Sequence, residues 1–283
     1  MITHNGTYLS EATHHGMYIT AATMGGKWVM GSNWLFSYTN QAIIAAFGEE
    51  EGIAVIKKTN DYLNAIVATD PTRAQQLIAF INEDPLLVTS LVETSKVRWL
   101  VGDGKAYLDV GVTLNELAFV NGAYISIQLK WTNFSVDGFQ VNGWGNNPQI
   151  GIKVNGGQAR WQNYATGSEP VSLNKEYNVT LDLEPSKSVL YCDGFSPLTA
   201  GADTAPNNYP FLIGCMTTNG VDRINPAIMD TGKLVINGTT PIREMYPFIR
   251  NGENGMIDIL SGTFRPNANT SGAFTIQLTD KEK

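Results

Sequence analysis

The sequence predicts a mainly β protein, with a C-terminal antiparallel two-sheet sandwich preceded by a small helical region and an N-terminal segment of β-repeats. Three observations carry this reading. One ten-residue phrase recurs three times in the first thirty residues. A helical apolar period follows, punctuated by Asp-Pro pairs. From Val97 onward apolar and polar residues alternate with a period of two.

The phrase reads Thr3-His4-Asn5-Gly6-Thr7-Tyr8-Leu9-Ser10, then Thr13-His14-His15-Gly16-Met17-Tyr18-Ile19-Thr20, then Thr23-Met24-Gly25-Gly26-Lys27-Trp28-Val29-Met30. Each copy has a turn signal followed by a short β-prone run. One copy of so short a repeat cannot bury its own apolar face and needs neighbours to do so. Residues 1–32 are therefore expected to anchor or oligomerise the chain through Tyr8, Leu9, Tyr18, Ile19, Trp28 and Val29. The neighbours are either the same segment in other subunits, most simply of a homotrimer, or the rest of the same chain. A three-fold axis would also gather His4, His14 or His15 into an imidazole cluster suited to Zn, Ni or Fe. The alternative is that these histidines are turn residues capping local backbone. No cofactor is expected.

Residues 33–96 read as a short helical array. Asp70-Pro71 and Asp84-Pro85 are each a helix start, with Asp as N-cap and Pro at the first helical position. An earlier helix is expected around Gln41–Phe47. Ile53, Ile56, Leu63, Ile66 and Val67 supply an apolar stripe on the segment between.

Residues 97–283 form the sandwich. Ile125, Ile127, Leu129 and Trp131 alternate with Ser126, Gln128 and Lys130, and Tyr177, Val179, Leu181 and Leu183 alternate with polar partners. This is the pattern of antiparallel strands with one buried face. Turn signals stand at Asp103-Gly104, Asp137-Gly138, Asn155-Gly156-Gly157, Asp193-Gly194, Asn237-Gly238 and Asn251-Gly252. Many strands without helical patterns between them point to two packed sheets.

Composition narrows the partners. The 283 residues carry a net charge of -7 with no Lys/Arg cluster, which disfavours a nucleic-acid groove or an anionic membrane surface. No apolar run is long enough to insert in a membrane, and the N-terminus lacks the charged and apolar regions of an export signal. Synthesis in the cytoplasm is expected. The two cysteines, Cys192 and Cys215, are too few for a disulfide framework and read as buried thiols.

Two stretches carry a resemblance. Trp99-Leu100-Val101-Gly102-Asp103-Gly104-Lys105-Ala106-Tyr107-Leu108-Asp109-Val110-Gly111 resembles the opening hairpin of laminin-G-like, concanavalin-type jelly rolls. Met245-Tyr246-Pro247-Phe248-Ile249-Arg250-Asn251-Gly252, Gly255-Met256-Ile257-Asp258, Ser261-Gly262-Thr263-Phe264 and Gly272-Ala273-Phe274 resemble the closing pattern of the same domains. The resemblance spans residues 97–278 and implies a jelly roll of the kind common in bacteriophage structural proteins and gut-bacterial surface proteins. It implies glycan binding, protein contact or scaffolding, since one sandwich serves all three. With the repeat-built leader it points to a virion component, a fibre, spike or decoration subunit contacting host glycans or neighbouring virion proteins. A bacterial carbohydrate-binding module or surface lectin is the alternative.

The residues argue against an enzyme. All three histidines lie in the first fifteen residues, so a Ser-His-Asp or Cys-His site in the sandwich lacks its base. The Glu-x-Asp-x-x-Glu pattern of glycosidases on a similar sandwich is missing. Asp182 and Glu184 share one strand face but read as a solvated pair. Asp103, Asp109, Asp137, Asp193 and Asp258 border turns, as turn-forming residues or as oxygen ligands for calcium. The best binding candidates are aromatic and amide loop residues: Trp144 with Asn146 and Asn147, and Trp161 with Tyr164. Trp131 and Trp161 each continue an apolar alternation and read alternatively as core, which leaves Trp144 as the preferred marker. Flat aromatic faces beside amide groups suit sugars.

Overall fold

The structure is a computed structural model. It describes backbone and side chains of residues 34–113, 116–117, 120–132, 172–183, 189–197, 210–214, 230–239 and 242–281, and the backbone of the other strands named below. The chain divides into two compact units, Met1–Ser95 and Lys96–Lys283. Among the described residues no helix is long and apolar enough to cross a membrane.

The first unit opens with three hairpins. They are β1 (Ile2–His4) with β2 (Thr7–Leu9), β3 (Thr13–His14) with β4 (Met17–Tyr18), and β5 (Ala21–Met24) with β6 (Lys27–Met30). Each is a two-stranded sheet of its own. Their registers coincide: Thr3 faces Tyr8, Thr13 faces Tyr18 and Thr23 faces Trp28. The contacts of Tyr8, Leu9, Tyr18, Trp28 and Val29, and of His4 and His14, lie outside the described residues, as do His15 and Ile19 altogether.

The helices are α1 (Ser37–Phe47), α2 (Glu49–Thr69) and α3 (Pro71–Glu83), then a 3-10 turn (Pro85–Leu87) and α4 (Val88–Leu91). Asp70 caps α3 as expected, its carboxylate accepting from the Arg73 N–H at 3.0 Å. Asp84 makes no such cap, and only a 3-10 turn and one α-helical turn follow it. The β-branched Val88, Thr89 and Val92 oppose a longer helix. The stripe on α2 also has a different phase from the one its isoleucines suggest. Its buried face is Gly52, Val55, Thr59, Asn60 and Leu63, while Ile53 is 55% exposed. The reason is close approach: a Cβ on Gly52 would stand 2.7 Å from the Ile44 Cα of α1. Asn60 and Asn82 then tie down the entry segment. Their side-chain carbonyls accept from the Trp34 N–H at 2.7 Å and the Phe36 N–H at 2.9 Å, and Asn82 also accepts from the Thr39 hydroxyl at 2.7 Å.

The second unit contains β7 (Lys96–Gly102), β8 (Leu108–Thr113), β9 (Tyr124–Trp131), β10 (Gly138–Trp144), β11 (Gln149–Asn155), β12 (Gln158–Trp161), β13 (Glu169–Pro170), β14 (Glu176–Leu183), β15 (Lys187–Cys192) and β16 (Leu198–Gly201). It continues with β17 (Pro210–Ile213), β18 (Cys215–Thr218), β19 (Val221–Ile224), β20 (Met229–Asn237), β21 (Arg243–Arg250), β22 (Glu253–Asp258), β23 (Phe264–Pro266) and β24 (Phe274–Asp280). One antiparallel sheet of ten strands runs β16-β15-β14-β9-β20-β21-β22-β23, with β7 joined to β20 and β24 to β7. A second sheet of six runs β13-β12-β11-β10-β17-β8.

The two sheets share one apolar cluster, so the arrangement is sandwich-like. Leu108, Val110, Val112, Phe211 and Ile213 of the smaller sheet meet Ile125, Ile127, Leu129, Trp131, Tyr177, Val179, Leu181, Leu234 and Ile236 of the larger. The alternations read on β9 and β14 are observed residue for residue. At the β21–β22 turn Asn251 and Gly252 have φ of 52° and 80°, the pair of left-handed conformations a two-residue hairpin of this type needs.

One expected hairpin does not form. β7 and β8 flank Asp103-Gly104 but pair in different sheets. The turn is a corner because Asp103 ties it elsewhere. One carboxylate oxygen accepts from Lys105 N–H and Ala106 N–H, each at 2.9 Å, and the other accepts from Ala273 N–H at 2.9 Å, next to β24.

Two measurements follow from this packing. Gly52→Ala should lower the stability of the helical unit by about 1–3 kcal/mol, read from urea melts of the helical circular-dichroism signal, because the helix backbones must part. Desolvation raises the Asp103 pKa, but the three N–H groups overcome it and leave the net value below the ordinary 3.8. The stability it contributes is full above that ordinary value and is lost as pH falls through the lower folded value. Urea midpoints between about pH 5 and pH 2, the carboxylate range, should fall less steeply in Asp103→Asn than in the wild type.

Candidate functional site

The smaller sheet positions the aromatic and amide candidates. Across it Leu108, Ile213, Val141, Ile152 and Trp161 stand in one unbroken register line over five strands. Leu108 and Ile213 belong to the shared apolar cluster, so this line is on the core face. The adjacent line, Asp109, Leu212, Asn142 and Gly151, is on the other face, where Leu212 is itself buried. By the same two-residue period that outer face holds the pairs Trp144–Gln149, Lys153–Arg160 and Asn155–Gln158. The register therefore separates the two tryptophans: Trp161 falls in a core row and Trp144 in a row of amides and cations. Asn146, Asn147 and Tyr164 lie outside the described residues.

On the larger sheet Tyr191 of β15 is 42% exposed, opposite Thr180 of β14. Several other rings of that sheet carry the protein's own cations. Lys130 Nζ lies 4.8 Å from the centre of Trp99, Lys233 Nζ 5.1 Å from Tyr246, and the Arg250 guanidinium 5.4 Å from Phe248 and 5.7 Å from Phe264.

The turn aspartates are committed to local backbone. Asp109 accepts from Gly111 N–H at 2.8 Å, Asp193 from Asn178 N–H at 2.8 Å, and Asp258 from Glu244 N–H at 3.2 Å and Leu260 N–H at 3.1 Å. Asp137 is outside the described residues. Among the described residues no group of three His, Cys, Asp or Glu could hold a metal. Asp182 sits on β14 opposite Tyr124 and Val189, and Glu184 is outside the described residues. Burial, with a smaller push from Asp193, raises the Cys192 thiol to about 12, so it is an unreactive thiol near neutral pH. The side chain of Cys215 is outside the described residues.

Sequence reasoning missed two charge groupings because their members are far apart in the chain. Lys130 and Asp230 are register partners on β9 and β20, with Nζ 3.0 Å from Oδ2 and the Asp230 side chain only 2% exposed. Burial raises the Asp230 pKa and outweighs the lowering by Lys130. The second grouping surrounds Gly111 of β8. Arg243 Nη2 donates to the Gly111 carbonyl at 3.4 Å, its Nε lies 3.8 Å from Asp258 Oδ2, and Arg265 rests against the same glycine. Glu116, which accepts from the Thr113 N–H and hydroxyl, has its pKa lowered by those bonds and also by Arg243.

Lys130→Met leaves Asp230 buried without its cation and should cost about 3–5 kcal/mol in urea unfolding. The double variant Lys130→Met/Asp230→Leu should regain most of that loss, since no lone charge remains.

No family model matches the chain, and no curated protein matches it.

Proposed function

We propose that the protein is a bacteriophage virion structural subunit, a fibre, spike or decoration protein, that works as a homo-oligomer. In this reading residues 1–32 anchor and oligomerise it, and the sandwich is a laminin-G-like jelly roll that contacts host-surface glycans or neighbouring virion proteins. One observation carries the oligomeric part. Three hairpins repeat the same Thr–aromatic register, and each is a sheet of only two strands. A lone two-stranded hairpin is marginal in water, so three in a row favour completion by other copies. The motifs at the two ends of the sandwich supply the rest of the reading.

A second reading, a carbohydrate-binding module or surface lectin, is favoured by the outer row that holds Trp144, Gln149, Asn142 and Asn155. The two readings share a glycan-facing sheet and differ in the need for assembly.

Light scattering behind size-exclusion chromatography separates them. The full-length wild type should run as a defined oligomer, most simply a trimer, at micromolar concentration. The triple variant Tyr8→Ser/Tyr18→Ser/Trp28→Ser should run as a monomer. A monomeric wild type would sink the virion reading and leave the lectin one.

A further inference from the structure

We infer that Arg265, with Arg243, forms a subsite for the carboxylate of an acidic sugar at the edge strand β8. This deepens the glycan reading above and rests on it. Arg265 belongs to β23 and pairs with Met256 on β22. Its guanidinium lies on Gly111, whose φ of 70° already favours glycine, and a Cβ there would overlap the guanidinium. Arg243 reaches the same residue from β21 through the Gly111 carbonyl. Two guanidinium groups thus converge on one backbone position that has no side chain to displace them.

Their bonding is unequal. Arg243 Nη1 donates to the Ile242 carbonyl at 3.0 Å and Nη2 to Gly111 at 3.4 Å, with Asp258 Oδ2 3.8 Å from Nε. The side chain of Arg265, partly buried, has no hydrogen bond, ion pair or ring contact with any described residue. The carboxylates nearby are engaged with other donors. Asp258 takes two backbone N–H groups and the Ser261 hydroxyl, Glu116 takes Thr113, and Asp109 takes Gly111 N–H. What remains is a planar fork of five donors without an acceptor. That fork matches a carboxylate held by two parallel bonds.

The glycan reading makes this carboxylate that of an acidic sugar, since a ring hydroxyl or amide gives the fork only single acceptors whereas a uronate or sialate carboxylate offers two.

The test uses the full chain on an array of uronate- and sialate-bearing glycans printed beside their carboxyl-reduced counterparts. The wild type should bind the acidic members roughly tenfold better than the reduced ones, the size of a charged hydrogen-bond pair. Arg265→Gln and Arg265→Lys should abolish that preference while keeping the wild-type melting curve, and Trp144→Ala should weaken acidic and reduced members alike. Sodium glucuronate should compete with the wild type where glucose does not, which needs no variant to fold. Equal binding of acidic and reduced glycans, or a preference that survives Arg265→Gln, overturns the subsite and leaves glycan binding intact. A wild type that binds no glycan overturns both.

Discussion

The sandwich depends on phase agreement between two sheets. β8 and β17 from one side, and β9, β14 and β20 from the other, must present their apolar residues to the same space. Because the side-chain period is two, a slip of one residue in any of these strands would turn its whole apolar set outward. Trp131 and Tyr177 lock this phase on adjacent strands. Their rings meet edge to face at 5.4 Å, Tyr177 stacks on Phe195 at 5.7 Å, and its hydroxyl accepts from the Ser172 N–H at 2.8 Å. A polar anchor on a fully buried ring removes the freedom to slide.

That constraint decides where polar chemistry can sit. On the smaller sheet the register line from Leu108 to Trp161 shares the face of the buried Leu108 and Ile213, and the alternate rows hold Leu212, amide and charged residues and Trp144. On the larger sheet Lys130, Lys233 and Arg250 lie against the buried rings of Trp99, Tyr246 and Phe248, and Glu244 joins Lys233 at 3.1 Å to the Tyr246 hydroxyl at 2.5 Å. The glycan contact proposed above is on the smaller sheet and its β8 edge. In the proposed function the repeat leader is a separate matter of valency: several weak sugar contacts on one oligomer would gain avidity without any new contact.

The helical unit shows the same competition between pattern and geometry. Its interior is set less by how apolar a residue is than by how near two backbones come. Gly52 is buried and Ile53 exposed because α1 passes over the residue with no Cβ. Asn60 and Asn82 are buried for a related reason, since residues 34–39 arrive with backbone N–H groups that need acceptors.

Local chemistry was legible in the sequence wherever it was enough by itself. The alternations of β9 and β14, the Asp70-Pro71 helix start and the Asn251-Gly252 turn each follow from the periods and dihedral preferences of a few adjacent residues. Asp103-Gly104 looked like a hairpin turn because its neighbours alternate, yet only the approach of Ala273, 170 residues away, made it a corner between sheets. The pairing of Lys130 with Asp230 and the meeting of Arg243, Arg265 and Gly111 likewise join residues whose separation in the chain carries no period. Trp161 continues an apolar alternation and Trp144 stands among glycines and asparagines, and strand register puts the two on opposite faces. Short-range order is written in neighbouring residues, whereas which strands become neighbours is decided by the burial of a core that the whole chain must share.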